Sequence, residues 1–178
     1  MRLLGSILRG VALAGLLASP PAAAAGQADG QLAAVPRLKA DRLVILKSER
    51  RLVLMRGDEV VRVYRVALGR YPKGRKVREG DAKTPEGSYT IDHKLTRSNF
   101  YKAIQISYPN LRDVARANAL GYRPGGKIMI HGLPNRMSAA RVGHPVIDWT
   151  QGCIAVTNRE MDEIWRMVDA GTPIEIHP

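Results

Sequence analysis

Thr150-Gln151-Gly152-Cys153-Ile154-Ala155-Val156 decides how this chain is read, because it holds the only cysteine and runs straight into a helix start. Thr157 followed by Glu160 predicts a capping box, with Val156 and Met161 as the apolar staple across it. Ile164, Trp165 and Val168 supply the apolar face of that helix, Gly171 its end, and Pro173 to Ile176 a returning strand. A lone thiol in an exported chain is buried and inert, bonded to another chain, or reactive. Upstream, Ile130-His131-Gly132 closes an apolar run. An imidazole at a sheet rim supplies the base a thiol needs, which favours the reactive reading.

Working outward, Leu43 to Leu46, Leu52 to Met55 and Val60 to Leu68 are β-rich runs separated by Ser48-Glu49-Arg50 and Gly57-Asp58, the pattern of an antiparallel meander. Further strands are expected at Gly87 to Asp92, Ala103 to Tyr108 and Lys127 to His131. Leu111 to Leu120 reads as a helix, capped by Asn110 and stopped by Gly121. The expected fold class is mainly β with two short helices.

Residues 1–25 have the form of a secretory signal: Arg2 and Arg9, an apolar stretch from Ile7 to Ala18, and Ala23-Ala24-Ala25 as a cleavage site. That stretch falls short of the about 20 residues a membrane span needs, so no stable span is expected after cleavage. Residues 26–40 read as a flexible lead and residues 41–178 as one domain, long enough to build a core without disulfides. The formal charge of +12 becomes +10 without Arg2 and Arg9 (12 − 2). Two readings of that charge are open: solubility, or attraction to a polyanionic cell envelope. No nucleic-acid motif is present, so nucleic acid is not an expected partner.

In the candidate site, Cys153 is the nucleophile and His131 its proton acceptor and donor. Gly132 and Gly152 are expected to clear space for a substrate backbone, and the N–H groups of Gly152 and Cys153 to hold an oxyanion. Asp148 and Thr150 would support the cysteine turn, with Trp149 packed beneath it. Arg78 either joins Glu79 and Asp81 in an ion-pair cluster or holds a substrate carboxylate. Tyr101 reads as packing or substrate contact, and His144 as a loop histidine, a substrate contact or a second titrating group. His131, His144 and Cys153 lack zinc-site spacing, so neither metal nor cofactor is expected.

At these residues the chain resembles the L,D-transpeptidase catalytic domain, or YkuD, family. That signature is a histidine followed by Gly or Ser, then after an insert Ser or Thr, His, Gly, Cys, an apolar residue, and Asn or Arg. His131-Gly132, Thr150, Gly152, Cys153 and Ile154 match it. Gln151 stands for the second histidine, Ala155 for the Asn or Arg, and Cys153 follows His131 by 22 positions (153 − 131). With Arg78 to Asp81, Thr84 to Gly87, Ser107 to Asn110 and Asp148 to Thr150, this is similar to the YafK-like branch. The resemblance implies a β-sandwich with a mixed sheet, in the periplasm or cell envelope, acting on peptidoglycan stem peptides. A thioester forms on the cysteine as D-alanine leaves, and an amine of a second stem or of a wall-anchored lipoprotein takes the acyl group. Two alternatives are a hydrolytic relative that cleaves cross-links or lipoprotein bonds, and a wall-binding module without activity.

Overall fold

The computed structural model describes residues 38–178; the expected signal segment, and the lead as far as residue 37, lie outside the described residues. Three antiparallel strands open the fold: β1 (Arg42–Leu46), β2 (Arg51–Arg56) and β3 (Glu59–Arg65). The turn at Gly57-Asp58 closes the second hairpin, with Gly57 at φ 57°, a conformation that disfavours a Cβ. Alternation along β1 sends Leu43 and Ile45 into the core. The chain continues through β4 (Gly87–Leu95), β5 (Ala103–Ile106), α1 (Leu111–Ala119), β6 (Met129–His131), α2 (Ala139–Val142), β7 (Ile154–Ala155), α3 (Asn158–Met167) and β8 (Pro173–His177).

These strands form one mixed sheet in the order β3-β2-β1-β8-β4-β5-β6-β7, with β8 parallel to β1 and β7 parallel to β6. The expected mainly β, mixed-sheet class therefore holds. Its sandwich is a single sheet curled on itself: one apolar cluster joins Leu43 and Leu54 to Ile104, Ile130 and Ile154, together with Met161 and Ile164 of α3.

The run Val60 to Leu68, expected as one strand, divides. Pairing in β3 stops at Arg65, and Val66-Ala67-Leu68 changes partners. Ala67 exchanges hydrogen bonds of 3.0 and 2.8 Å with Ala155, and the Leu68 carbonyl accepts from Thr150 N at 3.1 Å. All three side chains are wholly buried, so the unbroken apolar run reflects cover on both faces. The crossover ties the segment after β3 to β7, at the opposite end of the sheet and next to Cys153.

Both long helices carry the expected caps. Asn110 pairs reciprocally with Asp113 at α1, and Thr157 with Glu160 at α3. Helix α3 ends earlier than expected, at Met167, because Val168 turns extended and packs into the core. The four-residue α2 is a third helix in a stretch expected to be loop, and Gly143 caps it at φ 72°. The fold also begins before residue 41: Ala40 is buried and donates to the Met167 carbonyl at 2.9 Å. Among the described residues no helix is long and apolar enough to cross a membrane.

Candidate active site

Strand β6 and the turn leading into β7 carry the two candidate side chains, His131 and Cys153. The register of the two strands pairs Ile130 with Ile154 and His131 with Ala155. Cys153 lies just ahead of β7, two residues before Ala155, the pairing partner of His131. His131 and Cys153 therefore lie on chain segments that run side by side. No hydrogen bond joins them. His131 Nε2 is buried without a partner, and the Cys153 thiol lies 3.7 Å from the Lys127 carbonyl.

His131 is wholly enclosed. Its ring stacks on Phe100 with centroids 3.8 Å apart, and Trp149 approaches edge-on at 5.7 Å. Nδ1 lies 2.7 Å from the Gly132 carbonyl. A carbonyl only accepts, so Nδ1 carries the hydrogen and Nε2 the lone pair. Burial holds the imidazole pKa down at about 4; the Gly132 carbonyl works against this shift and the nearby His144 adds to it. At neutral pH the ring is an uncharged base.

Cys153 lies on the wall of a cleft of about 310 Å³, with Lys76, Glu79, Gln151 and residues 125–128. The residue is partly exposed, yet its sulfur sits deep enough that burial raises the thiol pKa. The Met129 N–H and the charge of Lys76 oppose that rise. Lys127, whose carbonyl faces the thiol, holds φ 55°, a strained value for a residue with a side chain.

The cysteine turn is closed by Thr150, whose hydroxyl donates to the Cys153 carbonyl at 2.7 Å and accepts from Gly152 N at 3.0 Å. The Gly152 N–H, expected as an oxyanion donor, is thus engaged by the Thr150 hydroxyl. Asp148 braces the turn from behind, accepting from Leu68 N at 2.8 Å and from Arg50 Nε and Nη2 at 3.0 and 2.9 Å. Trp149 lies against His131.

The two glycines also have a different reason from the expected one. A Cβ on Gly132 would meet the Tyr101 carbonyl at 2.6 Å and Asn158 Oδ1 at 2.8 Å. One on Gly152, at φ 127°, would meet the Lys83 carbonyl at 2.6 Å. Both make room for the protein's own chain.

The three residues considered for substrate contact lie elsewhere. Arg78 is exposed, with its guanidinium over the Tyr122 ring at 5.5 Å, and Asp81 pairs with Lys76 instead. The Tyr101 hydroxyl donates to Asp162 of α3 at 2.9 Å. His144 is buried after α2 with neither ring nitrogen bonded. None of the three lines the Cys153 cleft. Sequence reasoning missed Lys76, Arg50 and Phe100. Phe100 did carry a signal, as the single phenylalanine of the chain; the other two are ordinary basic residues in a basic sequence.

Comparison with known proteins bears out the expected family and fold. The L,D-transpeptidase catalytic domain family, YkuD, matches residues 40–176. YafK of Escherichia coli (strain K12), named as an L,D-transpeptidase, is 37% identical over 97 residues, covering 53% of this chain and 32% of its own length. The chain thus spans about a third of the curated relatives it matches. Among solved structures, the helical cell shape determining protein Pgp2 of Campylobacter jejuni has a TM-score of 0.60 at 24% identity, over 78% of this chain and 47% of that one. An L,D-transpeptidase of Xylanimonas cellulosilytica has 0.53 at 16%, over 80% and 63%. At these identities the structural likeness is one of fold. Since the family match runs over nearly all the described residues, the chain belongs to the L,D-transpeptidase catalytic domain (YkuD) family.

Proposed function

We propose that this protein is an exported cysteine acyltransferase acting on peptidoglycan stem peptides. Cys153 Sγ attacks the carbonyl of the diamino-acid residue of a stem tetrapeptide. The thiol proton passes to His131 Nε2 and then to the departing amine of D-alanine, leaving a thioester. An amine from a second stem, or from a wall-anchored lipoprotein, takes the acyl group and restores the thiol. The Cys153 N–H faces the developing oxyanion. Gln151, on the cleft wall where the family pattern has a histidine, does not titrate, so proton transfer falls to His131.

One observation carries this reading: the sole thiol lines a cleft just ahead of the strand that pairs with β6, whose last residue, His131, is a neutral imidazole with its lone pair fixed on Nε2 by the Gly132 carbonyl. The signal pattern of residues 1–25 and the basic composition support export to the periplasm and attraction to an anionic wall.

Mass spectrometry of muropeptides incubated with the purified protein and an acceptor amine tests it. Cross-linked or amine-exchanged products are expected, and their loss in Cys153→Ala. Cleaved products alone would assign the thioester to water. Wall binding without turnover, unchanged in Cys153→Ala, would overturn the reading.

A further inference from the structure

The acyl-transfer reading leaves the sulfur short of a counter-charge. His131 is neutral at working pH, so no imidazolium waits beside the thiol. The other titratable groups that face the cleft are Lys76 and Glu79 from the loop before β4, and Lys127 from the approach to β6. Glu79 and Lys127 are exposed to solvent. Lys76 is not: its side chain is 4% exposed. A buried ammonium acts on its neighbours with little screening.

Its position is fixed from both sides. Lys76 Nζ donates to Asp81 Oδ1 at 2.7 Å and to the Arg78 carbonyl at 3.1 Å, which occupies two of its three hydrogens. Asp81 is itself pinned, accepting from the backbone N–H of Val77, Arg78 and Lys83 at 2.8, 3.1 and 3.1 Å. The far end of this loop touches the cysteine turn, since the Lys83 carbonyl occupies the space a side chain on Gly152 would need. The loop and the turn are therefore packed as one unit, with the ammonium on the cleft wall that also carries Cys153.

We propose that Lys76, clamped by Asp81, is the positioning residue that supplies the positive charge for Cys153 as its proton leaves. The step conserves atoms and electrons: the S–H bond breaks, an N–H bond forms at His131 Nε2, and the sulfur keeps the electron pair beside the ammonium. The proposal rests on the reading that Cys153 reacts as a thiolate.

Because Cys153 is the only cysteine, the rate of iodoacetamide labelling of the full chain against pH reports this sulfur alone. In Lys76→Met the labelling midpoint should move up by about one pH unit, with a roughly tenfold slower rate at pH 8. Lys76→Arg should keep the midpoint near that of the unsubstituted protein. Asp81→Asn removes the negative partner and should move the midpoint down. A purely structural role would not produce shifts of opposite sign. An unchanged midpoint in Lys76→Met, or an equal upward shift in Lys76→Arg, overturns the proposal. Should Lys76→Met fail to fold, Asp81→Asn decides, an upward or absent shift counting against it. These shifts without turnover of muropeptides would sink only the acyl-transfer reading; turnover without them would sink only this one.

Discussion

His131, at the end of β6, and Cys153, just ahead of β7, sit in opposite surroundings. The imidazole is sealed between Phe100 and Trp149, whereas the thiol lines an open cleft. Burial disfavours charge on both, so the base is pushed down and the acid up. Both groups therefore rest neutral, and the pair is not a standing thiolate and imidazolium. They differ in what opposes that penalty. The ring has one carbonyl on Nδ1; the sulfur has a backbone N–H and a buried cation. A carbonyl fixes the tautomer of the imidazole, while a backbone N–H and a buried ammonium act on the thiol.

The harshest way to break this contrast is to remove the sealed partner. His131→Ala should lower turnover by about 10² to 10⁴-fold, as read by the muropeptide assay, while Cys153 still takes up iodoacetamide. An active His131→Ala protein would show that another group moves the proton.

The acid limb of stability sharpens the contrast. Unfolded, His131 holds a proton below about 6.5; folded, only below about 4. Between these values the unfolded chain binds more protons, so stability is level above the window and falls as pH drops through it. The full loss is about 3 kcal/mol. His144, whose pKa burial also lowers, acts in the same direction. Denaturant midpoints measured from pH 7 to 4 should show the fall, and His131→Ala should make it shallower. The thiol gives the opposite limb, with stability declining as pH rises above about 9, the ordinary thiol value.

A smaller effect probes the cysteine turn alone. Thr150→Val leaves the Cys153 carbonyl and the Gly152 N–H without their shared partner, which should cost about 1–3 kcal/mol in chemical denaturation. Full stability with full activity in that variant would mean the turn holds its shape without the hydroxyl.

How much of this was legible follows from distance along the chain. The caps of α1 and α3 were readable because Asn110 with Asp113, and Thr157 with Glu160, act across three residues. The first hairpins were readable for the same local reason. Arg50 with Asp148 was not, since 98 residues separate them and Arg50 stands in no motif. Strand length at Val66 to Leu68 was misjudged because an apolar run does not reveal where it changes partner. Gly132 and Gly152 were singled out for substrate space, but their neighbours are chain segments that only the fold brings near. Cys153 and His131 could be named as candidates from the sequence; the buried Lys76 on the same cleft wall could not.

Strand β8 lies between β1 and β4 although it is the last strand in the chain. During synthesis, the first hairpins and the β4–β5 pair therefore emerge before the segment that joins them. Until residues 173–177 are available, the N-terminal meander and the strands leading to His131 lack their shared hydrogen-bonding partner. Joining of the two sets of strands thus waits until residues 173–177 are translated, and a nascent chain stalled before them would present two open sheet edges to its surroundings.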